Sequence, residues 1–225
     1  MRGILLLFLG LLAVSQGFTQ APTIDAGPDT ITCPPDCIDL TATFVGGGNS
    51  TDYTVAAITY APDAYAGTTV SLWDDGLSGS LPIGFDFCFY GNTYSNFNVC
   101  SNGWLGFSGG PTTWNPAAIP SGAGTVPKNC IMGPWQDLNP GLGGTIRYQT
   151  LGVAPFRRLV VTWDAVPYFS CTGNTGTQQI ILYETTNEVE NHIDQKYECM
   201  GWAGGRAVQG IHNSTGTEAV VYAGK

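Results

Sequence analysis

The sequence predicts an all-β fold: an antiparallel β-sandwich-like domain with long loops and a short N-terminal appendage. Three observations carry this. Apolar/polar alternation recurs in short runs, broken about every ten residues by Gly, Pro, Asn or Asp, which is the rhythm of a sandwich or barrel. No stretch has the sustained 3.6-residue apolar period of a long amphipathic helix. Charged residues are 11% of the chain and aromatics 12%, against roughly 25% charged in an average soluble domain. With 31 Gly and 14 Pro, that balance suits a turn-rich extracellular β fold.

Taken in order, residues 1–20 read as a signal peptide. Arg2 supplies the basic start, Ile4 to Val14 the apolar stretch, and Ser15, Gln16 and Gly17 the small and polar residues before cleavage. Cleavage after Gly17 and after Gln20 both fit. The apolar run falls short of the roughly 20 residues a membrane span needs. No second run of that length follows, so no membrane insertion is expected once the signal is removed. Residues 21–48 form a short N-terminal β segment carrying the Cys33-Pro34-Pro35-Asp36-Cys37 loop and a strand candidate, Ile38 to Val45. A segment this short cannot bury a core of its own. The glycines Gly46 to Gly48 break it, and 49–225 is expected to be the main domain.

Within that domain, Tyr53 to Tyr60 and Thr69 to Trp73 are strand candidates. The strongest pattern is Ile83 to Phe107. Ile83, Phe85, Phe87 and Phe89 alternate with Gly84, Asp86, Cys88 and Tyr90, the Gly91-Asn92 pair turns the chain, and Tyr94, Phe97 and Val99 return it. A hairpin follows from period-two alternation around a turn pair. Further candidates are Gly144 to Thr150, Arg157 to Trp163, Gln178 to Tyr183, Val189 to Lys196, Ala207 to His212 and Glu218 to Tyr222. Gly109 to Lys128, with four prolines, reads as a long loop of the kind that is often functional.

The net charge of −9, from 17 acidic and 8 basic residues, argues against nucleic acid and anionic membranes as partners. Seven cysteines in an exported chain read as disulfides with one left over. The zinc reading fails because there are two histidines and no C-x-x-C.

Phe87-Cys88-Phe89-Tyr90-Gly91-Asn92 followed by Cys100-Ser101-Asn102-Gly103 resembles a recurrent module of large Bacteroidetes surface proteins. These are the gliding-motility-associated substrates of type IX secretion. The pattern is similar, more distantly, to the nidogen-like domain. Ile131-Met132-Gly133-Pro134-Trp135-Gln136-Asp137-Leu138-Asn139-Pro140, Val166-Pro167-Tyr168-Phe169-Ser170-Cys171 and Val208-Gln209-Gly210-Ile211-His212-Asn213 extend the likeness in order. Ile24-Asp25-Ala26-Gly27-Pro28-Asp29 resembles the start of Ig-like segments in such proteins. The resemblance implies a β-rich surface or adhesive module. It also implies a main domain truncated at its C-terminus, because members continue into further domains and a sorting domain.

Three disulfides are expected. Cys88–Cys100 flank the hairpin turn. Cys171–Cys199 bracket two strand candidates and sit at matching family positions. Cys33–Cys37 would close the N-terminal loop. Cys130 is then the odd cysteine and is read as a buried, inert thiol.

No catalytic residue is expected. His192 and His212 both lie in polar or turn contexts, and no G-x-S-x-G or H-E-x-x-H occurs. Glu184, Glu188 and Glu190 read as a solvated strand face. No cofactor is expected, with calcium the one alternative. Asp74-Asp75-Gly76 and Asp137-Leu138-Asn139 are oxygen-rich turns that make Asp74, Asp75 and Asp137 weak calcium candidates, although Asp and Asn also favour turns by bonding their own backbone. Trp114, in the long loop, is the candidate ligand-contacting aromatic. The function these readings favour is a non-catalytic secreted or cell-surface adhesion and recognition module of a larger exported protein, meeting glycans or other cell-surface proteins. A structural spacer without a ligand is the alternative, and a carbohydrate-active enzyme using Glu184 or Glu188 a remoter one.

Overall fold

A computed structural model describes residues 51–222 in full and the backbone of two short strands before them. The chain divides into two compact units, Met1–Gly46 and Gly47–Lys225. In the first, β1 (Thr23–Asp25) pairs antiparallel with β2 (Thr43–Val45). The signal peptide expected at 1–20 and the Cys33–Cys37 loop lie outside the described residues.

The second unit holds two antiparallel sheets. One contains β3 (Thr68–Thr69), β8 (Thr145–Leu151), β9 (Arg158–Pro167), β10 (Thr175–Tyr183) and β11 (Val189–Gln195), in the order β11-β10-β9-β8-β3. The other contains β4 (Leu81–Phe89), β5 (Asn92–Cys100), β6 (Trp104–Gly106), β7 (Cys130–Trp135), β12 (Val208–His212) and β13 (Ala219–Val221), in the order β13-β12-β7-β6-β5-β4. The alternation along β4 does what period two demands. Ile83, Phe85, Phe87 and Phe89 all point inward, where they meet Ile146, Leu159, Val161, Trp163 and Ile180 of the facing sheet. Each such apolar side chain contributes roughly 1.5–3 kcal/mol when taken fully out of water.

The β4–β5 hairpin turns one residue earlier than the sequence suggests. Phe89 pairs with Asn92, so Tyr90 and Gly91 form the two-residue loop. Their φ values of +45° and +74° are those of a turn with two left-handed positions, whose twist matches the strands. The expected strand at Tyr53 to Tyr60 joins neither sheet. It is held through side chains instead, Tyr53 against Phe89 and Tyr90 and Tyr60 against His192. Strand propensity marked a chain that lies along the domain, not one that joins a ladder.

A second apolar cluster lies beside the first, formed by Cys100, Trp104, Cys130, Met132 and Trp135 with Ile119 and Val126 of the long loop. The loop at 109–128 is therefore a cover. His212, fully buried, pins it: Nδ1 meets the Pro127 carbonyl at 2.7 Å and Nε2 accepts from the Ser121 amide at 3.2 Å. Every residue of β7 is buried, the condition under which a strand shows no alternation.

Candidate functional site

One corner of the second unit gathers a network of buried polar groups, among them Ser101, Asn102 and Asp137. Its hub is Ser101-Asn102-Gly103, between β5 and β6. Ser101 exchanges main-chain and hydroxyl hydrogen bonds with Gly76: its amide donates to the Gly76 carbonyl at 2.8 Å, and its Oγ accepts from the Gly76 amide at 2.9 Å. Gly103 sits at φ +83°, where an added Cβ would lie 2.5 Å from the Pro134 carbonyl and 2.7 Å from Gln178 Nε2, so only glycine fits. Asn102 is fully buried. Its Nδ2 donates to Asp75 Oδ1 at 2.7 Å and to the Thr112 carbonyl at 3.1 Å, and its Oδ1 accepts from the Leu138 amide at 3.0 Å. One amide side chain thus fastens the 74–76 turn, the long loop and the exit of β7 to each other.

That fastening brings Asp74, Asp75 and Asp137 together. Carboxylate oxygens of the three lie within 4.8 Å of one another. Asp137 is 7% exposed; Oδ2 accepts from the indole Nε1 of Trp202 at 2.6 Å, whereas Oδ1 is shut off from solvent and accepts no hydrogen bond. Asp74 Oδ1 is in the same condition. Burial, with the charges of Asp75 and Asp74 adding to it, pushes the Asp137 carboxyl up to about 6 against the opposing Trp202 hydrogen bond. Burial and the Asp75 charge raise Asp74 as well. Two unit charges about 5 Å apart repel by about 3 kcal/mol at an effective dielectric of about 20. The chain therefore holds an unfavourable arrangement of charge.

Trp202 also belongs to a surface row of aromatics. Its ring lies 5.0 Å from Trp114 and 5.2 Å from Phe169, centroid to centroid. Trp114 and Phe169 are 38% and 40% exposed. The disulfide Cys171–Cys199, with Cα atoms 5.9 Å apart, ties together the two segments that carry Phe169 and Trp202. A small pocket lined by Asp137, Tyr168, Cys199, Trp202 and Arg206 opens beside the row. The acidic cluster and the row are thus neighbours, joined through the Trp202–Asp137 hydrogen bond.

A family model described as NIDO related matches residues 52–225, a span that contains the hairpin, the Ser101-Asn102-Gly103 corner and every residue of the site. The chain belongs to the NIDO-related family. No curated protein and no solved structure matches it. The NIDO-related domain is the distant nidogen-like relationship that the FYG and SNG motifs imply, and it fits a non-catalytic extracellular module. Together with the Cys171–Cys199 disulfide it points to an extracellular location.

The strand register of the domain corrects one expected bridge. Cys88 and Cys100 do not pair. Cys88 stands opposite Thr93 beside the turn, and its Sγ lies 3.4 Å from Thr93 Oγ1. Cys100 stands opposite Trp104 at the far end of β5. Thr93 and Cys100 are seven residue steps apart along the strand, roughly 23 Å, whereas bridged cysteines have Cα atoms within about 7 Å. Cys100 and Cys130 are buried thiols. Burial pushes Cys100 up to about 12 and raises Cys130 further. Cys33 and Cys37 lie outside the described residues.

Sequence reasoning selected Asp74, Asp75, Asp137 and Trp114 in the NIDO-related domain, and the structure brings all four into the same neighbourhood. It missed Trp202, Phe169 and Asn102. Trp202 and Phe169 lie within three residues of Cys199 and Cys171, so the disulfide was the available signal. Trp73, next to Asp74 in the chain, is 69% exposed, more so than Trp114.

Proposed function

We propose that this chain is a non-catalytic recognition module of a secreted or cell-surface protein, and that its ligand-contacting surface is the aromatic row Trp114, Trp202 and Phe169. The observation that carries the reading is that row itself. Trp202 is flanked by Trp114 and Phe169, both more than a third exposed, and the row is held at a loop-rich corner by a disulfide and a buried asparagine network. Aromatic faces with a polar neighbour are the usual anchors of recognition surfaces, and the apolar face of a sugar ring is a natural complement. Glycans are accordingly the first partner class, with other cell-surface proteins the second.

The remaining titratable groups support a reading without catalysis. His212 is consumed in holding the long loop. His192 is 4% exposed, with Nε2 3.1 Å from Glu190 and Nδ1 accepting from the Ala61 amide at 3.5 Å. Glu184 is bound by Arg157.

On a glycan array, the protein is expected to bind a subset of sugars, and Trp114→Ala to lose at least tenfold in affinity while keeping the melting temperature of the parent. No binding by the parent to glycans or to intact cells favours the spacer reading instead, and binding of parental strength in Trp114→Ala rejects the aromatic row as the contact surface. The motifs shared with gliding-motility-associated surface proteins support export through type IX secretion. In a Bacteroidetes host, deletion of that machinery is then expected to retain the protein inside the cell, and undiminished export would reject the assignment.

A further inference from the structure

We propose that Asp74, Asp75 and Asp137 form a binding site for a hard divalent cation, calcium. The inference stands apart from the aromatic row, since it rests on different atoms.

The donor set is all carboxylate, its oxygens within 4.8 Å of one another. Oxygen-only donors suit calcium and magnesium and do not suit zinc or copper, which take imidazole and thiolate. An acidic cluster at a surface would carry no weight alone, but Asp137 is not at the surface. Only 7% of it is exposed, one of its carboxylate oxygens lies within 4.8 Å of those of the other two acids, and its Oδ1 has neither solvent nor a hydrogen-bond donor. Asp74 Oδ1 is equally closed off. Buried oxygens in that condition are rare because each forgoes the solvation it had in the unfolded chain.

No Arg or Lys among the described residues forms an ion pair with Asp74, Asp75 or Asp137. Among the described residues, Arg147, Arg157, Arg158 and Lys196 pair with Asp164, Glu184, Asp63 and Glu198. Lys128 donates to the Gly122 carbonyl. Arg206 lines the pocket beside Asp137, yet its guanidinium goes to Asn115 Oδ1 at 2.9 Å and the Ala203 carbonyl at 2.8 Å. Neutral donors hold the acids instead: Asn102 for Asp75 and Trp202 for Asp137. A carboxylate oxygen that accepts one such bond keeps a lone pair for a cation.

Calcium is the better of the two hard ions. It takes six to eight oxygens in flexible geometry, and carboxylates can serve one oxygen or two, whereas magnesium wants strict octahedral geometry and is usually held by one or two carboxylates with several waters. Extracellular modules hold calcium with dissociation constants of about 10⁻⁴–10⁻³ M, which is the range expected here.

The test uses the full secreted chain after treatment with a chelator, titrated with calcium chloride by calorimetry and followed in parallel by thermal melting. One calcium per chain is expected, with a melting temperature raised by about 3–6 °C at ten times the dissociation constant. Asp74→Asn and Asp137→Asn should each weaken binding at least tenfold and abolish the rise. Magnesium at equal concentration should give less than a tenth of the occupancy. Absence of heat and of any melting shift at millimolar calcium overturns the site, as does binding of parental strength in both variants. Equal binding of magnesium overturns the calcium assignment. Should either variant misfold, terbium excited through tryptophan reads the parent chain directly, because Trp202 adjoins Asp137. Sensitised emission that calcium displaces supports the site, and no emission overturns it.

Discussion

Carboxylates meet two different fates in this domain. Along the five-stranded sheet they are paired. Arg158, the first residue of β9, holds Asp63 through two hydrogen bonds, with Nε to Oδ2 at 2.7 Å. Arg157 clasps Glu184, and Arg147 lies 3.5 Å from Asp164. At the loop corner three acids converge on neutral donors. Arginine can serve on a strand because register fixes where its long side chain leaves the sheet. The corner has no such scaffold, and short, rigid donors from Asn102 and Trp202 orient its acids without neutralising them. Among the described residues, Arg147, Arg157 and Arg158 are committed to these sheet pairs, and no ion pair reaches the three acids of the corner.

The largest expected effect breaks the corner. Asn102→Ala leaves the Leu138 amide and Thr112 carbonyl without their partner in a fully buried place. The cost is about 2–3 kcal/mol, read as a lower denaturation midpoint with an unchanged slope. An unaltered midpoint would show that the corner does not depend on this side chain.

A smaller effect sharpens the contrast through its sign. Removing a carboxylate charge should hurt at the sheet and help at the corner. Hydrogen bonds from Arg158 hold Asp63 below its ordinary value. Its contribution is therefore present above the ordinary carboxylate range, near pH 4, and is lost as pH falls through the lowered value. Asp63→Asn should cost about 1 kcal/mol at pH 7, the upper end for a solvent-facing pair, and should flatten the acid limb of the stability curve. Asp137→Asn keeps an oxygen for Trp202 while removing like-charge repulsion. In the presence of chelator it should raise the melting temperature by about 2–4 °C. If the two substitutions shift melting in the same direction, the distinction between the regions falls.

The hairpin and the inward face of β4 were legible in the sequence because one face is buried and the other is not, and a period of two records that difference. Cys130 to Trp135 was not legible as a strand. The facing sheet covers one side and the long loop the other, so apolar residues occupy both and periodicity carries no signal. Thr69 to Trp73 shrank to the two residues of β3, since a strand needs a partner over its length and β8 offers one only at Tyr148 and Arg147. The acids of the site were visible as turn chemistry at Asp74-Asp75 and Asp137. Their convergence was not, because it depends on Asn102 joining segments that lie 27 and 36 residues away in the chain.

The loop at 109–128 has a consequence for how the chain matures. It seals Cys100 and Cys130 in one cluster under Ile119 and Val126, and His212 latches it. In an oxidising compartment a thiol is at risk for as long as an oxidant can reach it. The irregular loop therefore acts as a closure with a deadline. Docking before oxidation leaves two unreactive sulfurs and the correct Cys171–Cys199 bond, and docking late leaves two extra partners for every other cysteine in the chain.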